Sequence, residues 1–548
     1  MKHKGTKYDV EVDTSSPGED FKLQLYSLTG VEPDRQKILV KGGQLKNDTD
    51  MAKLGLKPKQ VLLMIGTPSE AGLDLARPAE PIKFIEDMTE AEAAAQQNAV
   101  PAGLVNLGNT CYLNSTLQTL RSIPELQDAL VKYNTDGGLG MGSFGTDVVA
   151  DLRDLYKNMK ETQGSPEPIM FLNTLRNVFP QFAERSQSTN AYAQQDAEEA
   201  WSQILAQIRS KVKMPSGGGD DASVPFVDRY MSGQFTNVIK CDEEGGEEPV
   251  TSKEEFLKLN CHISGTTNHL RDGIASSLTE KIEKNSEALG RETTFTKTSQ
   301  ISRLPKYLTV HFMRFFWRRD TQKKAKIMRK VTFPKELDLV EFCTDELKEM
   351  LVPVRDKVRE IRKDEEDNER ARKRRKVRDA ADVAGGFGES TKDKKKKEEE
   401  EKEKAKKAAD GDTEMQETYK TDAEIDAERD AALLQAKKDL HAAISPQLRD
   451  DEGANQSGIY ELRAVITHQG SSADSGHYTA YVKKSARPDP KTGKKGEEDG
   501  NWWWFNDDRI SEVEGDKIET LAGGGESHSA LILLYRAIDL PSASGEME

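Results

Sequence analysis

The chain has 548 residues and carries 80 Lys and Arg against 95 Asp and Glu, a net charge of −15. At roughly 100–200 residues per domain it has room for two to four domains, and its 32% of charged residues, set against about 25% in an average domain, means that part of it belongs to no core. No run of about 18 apolar residues is present to span a membrane, no apolar segment follows the first residues as in a secretory signal, and the acidic balance argues against general nucleic-acid binding.

In chain order, Tyr8–Val12 alternates like a half-buried strand. Glu19–Thr29 places Phe21, Leu23, Leu25 and Leu28 at helix-compatible spacing, closed by Gly30. Lys37–Lys41, a Gly42–Gly43 turn and Val61–Ile65 supply two further strands. This order, with Gln36-Lys37-Ile38-Leu39 ahead of Gly42-Gly43-Gln44-Leu45, resembles ubiquitin over residues 1–68 and implies a β-grasp fold. Met1 stands so close to Gly5 that little of ubiquitin's first strand is expected. Gly66-Thr67-Pro68 runs on into the chain, so the unit reads as a fused ubiquitin-like domain.

Residues 69–98, rich in Ala, Glu and Pro, read as a linker. From about 355 to 455 the composition changes again, with Arg370–Lys376, then Lys394–Lys397 beside Glu398–Glu401, and hardly an aromatic residue. Such a segment buries too little apolar surface to offset its ordering entropy. It is expected to be a disordered or loosely helical insertion within a larger domain spanning 99–540. The Arg370–Arg378 tract reads as a nuclear-import signal, a phosphate-binding patch or simply a solvated charge run balanced by its Glu neighbours.

The sharpest chemical signal is Gly103 to Ser115, which contains Gly108-Asn109-Thr110-Cys111. Leu113, Leu117 and Leu120 follow at helical spacing, so a helix is expected to begin at Cys111, where the dipole favours a thiolate. The competing reading is a buried cysteine acting as a small hydrophobe. Cys111, Cys241, Cys261 and Cys343 form no disulfide framework and no C-x-x-C pair, which points to a reducing compartment. A cysteine nucleophile needs a base and an orienting group. His477 opens a strand after the polar loop Gln469–Gly476, and Trp502–Phe505 reads as a further strand ending in Asn506 and Asp507, either of which could fix the imidazole. His477 and His468 also fit the role of ordinary sheet-end residues. Asp196 caps an apolar helix that bears Trp201, Ile204, Leu205 and Ile208.

Gly103–Asn114, Gln194–Glu199, Ser475-Gly476-His477-Tyr478 and Trp504-Phe505-Asn506-Asp507, in that order, resemble the motif boxes of the ubiquitin-specific proteases from about 100 to 537. The ubiquitin-like domain narrows the resemblance to proteasome-associated members. The resemblance implies an α+β chain: a β-grasp domain followed by a papain-like cysteine protease domain of thumb, palm and fingers. It implies Cys111 as nucleophile, His477 as base and then acid, Asn506 as its orienting group with Asp507 assisting, and Asn106 as oxyanion donor. It further implies that Gln195, Asp196, Tyr478 and Phe315 line a narrow channel for ubiquitin's glycine-ended tail. The loops Arg318–Lys326 and Gln469–Gly476 fall where they could gate it. No cofactor is implied, and the unpaired Cys241 and Cys261 lead us to expect no structural zinc. The implied partners are ubiquitin, polyubiquitinated proteins and the proteasome's regulatory particle, for a monomer in cytoplasm and nucleus that engages neither membrane nor nucleic acid. The competing class is a non-catalytic ubiquitin-binding adaptor on the proteasome.

Overall fold

The structure is a computed structural model. It describes parts of residues 2–65, then residues 100–134, 145–186 (except 163), 190–215, 223–318, 323–385, 422–472, 475–486 and 496–542 (except 497 and 526). The chain divides into two units, Met1–Met88 and Thr89–Glu548. The expected linker at 69–98 lies outside the described residues.

The first unit is one sheet with a helix. Strands β1 (Lys2–His3), β2 (Thr6–Lys7), β3 (Lys37–Val40), β4 (Gly43–Gln44) and β5 (Leu63–Ile65) are ordered β2-β1-β5-β3-β4, and helix α1 spans Gly18–Thr29. As expected, little of a first strand is present: two residues, Lys2–His3, parallel to β5. One expectation is corrected here, since among the described residues Tyr8, Val10 and Val12 lie beyond β2 rather than in a strand. Alternating polarity in so short a run is met equally by residues flanking a hairpin, because no partner is encoded in the pattern. Phe21 and Leu25 of α1 bury against Ile38, Leu45, Met51 and Met64. Strand alternation then turns Leu39, Leu63 and Ile65 outward, 43–55% exposed.

The second unit begins with a helical thumb. Helices α2 (Cys111–Arg121), α3 (Pro124–Lys132), α4 (Val148–Glu161), α5 (Ile169–Val178) and α6 (Ala197–Lys211) pack on one core. Asp147 caps α4 through the amides of Val149 and Ala150, and α4 buries Leu152, Tyr156 and Met159 on one stripe. Short strands β6 (Lys213–Pro215) and β7 (Ser223–Pro225) and helix α7 (Phe226–Tyr230) lead to the fingers.

The fingers are an antiparallel sheet of β8 (Gly233–Cys241), β9 (Val250–Phe256), β11 (Thr279–Ser286) and β12 (Arg291–Arg303), ordered β11-β12-β8-β9. Between them come β10 (Leu259–Cys261) and helix α8 (Leu270–Ser277). The palm sheet adds β13 (Tyr307–Phe312), β16 (Glu336–Asp338), β17 (Ile459–Ser472), β18 (Ser475–Lys483), β19 (Trp502–Asn506), β20 (Arg509–Val513) and β21 (Ser529–Ala537), ordered β10-β13-β21-β17-β18-β19-β20, with β16 on β17. Strand β21 is covered on both faces, which its run Leu531-Ile532-Leu533-Leu534-Tyr535 requires.

Strand β13 ends at Phe312, and the next strand begins only at Phe315. Arg314 turns inward, fully buried, and donates to the carbonyls of Ala530, Ala522, Ile327 and Arg329 at 2.8–3.3 Å. Phe315–Arg318 (β14) then forms a hairpin with Lys323–Lys326 (β15). The loops expected to gate the channel are thus largely strand, since Gln469–Ser472 continues β17 and Ser475–Gly476 opens β18; residues 319–322 and 473–474 lie outside the described residues.

Of the two states expected for the insertion, its described parts are largely helical. Helix α9 spans Asp345–Gly385 and α10 spans Asp422–Ala443, followed by α11 (Pro446–Asp450). Leu347, Leu351, Val354, Val358 and Ile361 recur every three or four residues and bury in one cluster with Leu440, Ile444 and Leu448. Beyond that base the helices are joined by ion pairs: Lys437–Glu365 at 2.8 Å, Arg372–Asp430 at 2.7 Å and Arg375–Asp426 at 2.8 Å. Leu347, Leu351 and Val354 precede the 355–455 stretch, and inside it Val358, Ile361, Leu440, Ile444 and Leu448 supply burial that its average composition had hidden. Residues 386–421 lie outside the described residues.

Candidate active site

Cys111 is the first residue of α2 and is only 3% exposed. The loop before it is fastened by its own polar groups. Asn106 Oδ1 accepts from the amides of Gly108 (2.9 Å) and Thr110 (3.3 Å), and Thr110 Oγ1 accepts from the Leu107 amide at 3.0 Å. Gly108 (φ 93°) and Asn109 (φ 56°) take the left-handed backbone that this turn needs. Since its carbonyl oxygen faces the turn, the Asn106 side chain presents its NH2 group outward.

That NH2 meets the other end of the domain. Asn106 Nδ2 donates to Asp507 Oδ2 at 2.9 Å, and Asn114 Nδ2, one turn into α2, donates to Asp507 Oδ1 at 2.8 Å. Asp507 sits in the two-residue turn between β19 and β20 with φ 55°, a conformation that Asp tolerates. Its backbone carbonyl accepts from the Leu104 amide at 3.1 Å. Three segments converge there so closely that a Cβ on Gly103 would lie 2.7 Å from Asp507 O and 2.9 Å from Ser165 Oγ; only glycine fits.

His477 lies on β18 and is half-buried. Its Nε2 and Asn506 Oδ1 are 2.6 Å apart. Because a carboxamide oxygen can only accept, Nε2 carries the proton, and the Nδ1 lone pair is the site that can take another. Sequence had left Asn506 and Asp507 as alternatives for this contact. Here Asn506 meets the imidazole, while Asp507 meets the loop before Cys111.

Burial pushes the Cys111 thiol up to about 11, opposed by the Tyr478 backbone N–H and reinforced by the Asp507 carboxylate. The expected gain from the helix dipole is thus outweighed: the thiol is desolvated and lies near a negative charge, and both disfavour thiolate. An acceptor for its proton is therefore a requirement of any chemistry at this sulfur.

Of the channel candidates, Tyr478 is 1% exposed and its ring lies 4.6 Å from that of His468, which Phe315 meets edge-on at 5.4 Å. Asp196 caps α6 by accepting from the Glu198 amide at 2.9 Å. Gln195 is half-buried just ahead of it. His468, which the sequence offers only as an ordinary sheet-end residue, is fully buried and pushed down to about 3, chiefly by burial. Its backbone carbonyl accepts from Lys326 Nζ at 2.6 Å, which fastens the β14–β15 hairpin to β17. Gly476 is needed beside it, since a Cβ there would fall 2.1 Å from Gln469 O. Asn114 had been missed as a partner of Asp507, although it stands inside the cysteine motif.

Among the described residues no group of three or more His, Cys, Asp or Glu is arranged to hold a metal ion, and no helix is long and apolar enough to cross a membrane. Comparison with known proteins places this centre in context. Residues 102–535 match the ubiquitin carboxyl-terminal hydrolase family and residues 1–69 match the ubiquitin family. The chain is 42% identical to ubiquitin carboxyl-terminal hydrolase 6 of Schizosaccharomyces pombe, over 98% of each chain. It is 37% identical to ubiquitin carboxyl-terminal hydrolase 6 of Arabidopsis thaliana over 96% of each, and 30% identical to ubiquitin carboxyl-terminal hydrolase 14 of Caenorhabditis elegans over 98% of this chain and 92% of that one. The α+β architecture, the ubiquitin-like domain and the family match over residues 102–535 lead to one conclusion: the chain belongs to the ubiquitin carboxyl-terminal hydrolase family and is a thiol-dependent ubiquitinyl hydrolase.

Proposed function

We propose that Cys111 is the nucleophile of this deubiquitinating enzyme, that His477 is its base and later its acid, and that the ubiquitin-like domain docks the enzyme on the proteasome. The observation that supports the catalytic part is the 2.6 Å contact between His477 Nε2 and Asn506 Oδ1, which leaves the Nδ1 lone pair free to take the proton that an otherwise unionised thiol must give up. Thiolate Cys111 attacks the carbonyl of ubiquitin's terminal glycine. The Asn106 NH2 has one hydrogen on Asp507 and a second to offer the oxyanion, a contribution of about 3–4 kcal/mol at comparable sites. Imidazolium His477 protonates the departing lysine amine, then activates the water that releases the acyl-enzyme. Phe315, Tyr478, Gln195 and Asp196 line the channel for the glycine-ended tail.

Proteasome docking rests on the exposed Leu39, Leu63 and Ile65 of the first unit, an apolar patch on one sheet face suited to a protein partner. Such tethering concentrates the protease beside arriving conjugates, in cytoplasm and nucleus. Ubiquitin bearing a C-terminal thiol-reactive electrophile tests the first part. It should label the wild-type protein and not Cys111→Ala; a folded wild type that stays unlabelled, with or without proteasome, would favour the adaptor. Deleting residues 1–68 tests the second: basal hydrolysis should persist and proteasome pull-down should be lost.

A further inference from the structure

The tail channel accounts for one side of the scissile bond. The other side, where the modified lysine leaves, is bounded by different elements. The leaving nitrogen must come within reach of His477 Nδ1, and the imidazole's far side is occupied by Asn506 and the turn that follows it. That turn is joined to the thumb in a fixed frame. The Leu104 amide donates to Asp507 O (3.1 Å), the Val105 amide to Pro166 O (3.1 Å), and Ser165 Oγ to Asp508 O (3.2 Å). The segment Ser165–Pro168 thus abuts the turn at Asp508, and the first turn of α5 starts directly after it.

On this frame Glu167 and Asp508 are exposed, and neither makes an ion pair among the described residues. Arg509, next in the chain, is exposed too, which leaves the pair of carboxylates in excess by one. Ile169 and Met170 are 43% and 55% exposed although Phe171 and Leu172 beside them are buried. Two adjacent large apolar side chains facing water two and three residues past Glu167, on the segment whose Ser165 meets Asp508, describe a contact surface of apolar centre and acidic rim.

We propose that Glu167, Ile169, Met170 and Asp508 form the docking surface for the lysine-bearing partner of the isopeptide bond, and that it favours partners with basic residues flanking the modified lysine. The proposal rests on the reading of Cys111 and His477 given above. Continuity with the catalytic centre selects the occupant, since whatever is joined to ubiquitin's terminal glycine must pass here. Charge complementarity selects its character.

Three substrates test this: ubiquitin joined through an isopeptide bond to a lysine peptide flanked by arginines, the same with flanking glutamates, and ubiquitin carrying an aminocoumarin leaving group. The wild type should cleave the arginine-flanked conjugate with a kcat/KM about five- to tenfold above the glutamate-flanked one, most of it lost at high salt. The double variant Glu167→Lys, Asp508→Lys should abolish or invert that preference. Met170→Ser should slow both peptide conjugates several-fold, and neither variant should alter aminocoumarin release. Equal cleavage of the two peptide conjugates by the wild type, or variants that slow all three substrates alike, would overturn the docking surface while leaving the nucleophile intact. A wild type that cleaves none of the three would overturn the reading of Cys111 itself, and the surface with it.

Discussion

The polar junction around Cys111 and the helical insertion use similar chemistry in different surroundings. At the junction, Asp507 bridges the exposed amide of Asn106 and the buried amide of Asn114, beside a thiol shielded from water. In the outer insertion, Arg372 and Arg375 meet Asp430 and Asp426 at nearly the same distances, but with side chains 21–57% exposed. The difference teaches that bond length says little about worth. Screening and hydration reduce a surface pair to about 0–1 kcal/mol, whereas a partly desolvated network holds geometry, and losing one member strands the others.

The contrast can be tested at four points. The largest expected effect concerns dryness at Cys111. With the thiol held near 11 by burial, the thiolate fraction at neutral pH is small, and raising the pH increases it. Alkylation of unliganded protein by iodoacetamide, corrected with Cys111→Ala, should therefore climb about tenfold per pH unit between roughly pH 7 and 10. A flat profile would mean that the thiolate is preformed. Next, Leu440→Ala, at the apolar base of the insertion, should cost about 2–5 kcal/mol in denaturant unfolding; a loss well under 1 kcal/mol would mean that the base contributes no more than the ion-paired part. Asp507→Ala should lower kcat for an aminocoumarin substrate by about 10- to 100-fold, by releasing Asn106 and Asn114 from their geometry. An unchanged kcat in a folded variant would show that the bridge does not position the loop. Smallest of all, a double-mutant cycle on Arg372 and Asp430 should return about 0.2–1 kcal/mol, vanishing in high salt.

What the sequence made legible divides along physical lines. The start of α2 at Cys111, the capped helix after Asp196 and the strands that carry His477 and Asn506 follow from local periodicity and capping, which is information a short window contains. The separate partners of Asn506 and Asp507 do not. They depend on a left-handed turn at Asp507 that sends adjacent side chains to different partners, and no pattern of residue types dictates that. The burial of His468 is hidden from sequence for a similar reason: it is created by Phe315, Tyr478 and the glycine at 476, which meet only in the fold. Burial within the insertion was hidden in another way. The apolar stripe begins at Leu347, before the stretch read from about 355, so only Val358 and Ile361 of it stood inside a composition dominated by charge.

The bridge from Asn106 to Asp507 joins residues 401 positions apart, and β21, which lies between β13 and β17 in the palm, is the last strand of the sheet in chain order. Contacts of such separation form late, because the intervening chain must first be brought together. During synthesis, then, Cys111 emerges hundreds of residues before His477, Asn506 and the strand that completes their sheet. A nascent chain therefore has no assembled hydrolase, and the ubiquitin-like domain, made before the protease and with a core of contacts within about 65 residues, can be complete while the protease is still unassembled. Activity begins as a single late event in the life of each molecule, set by the closing of its longest loop.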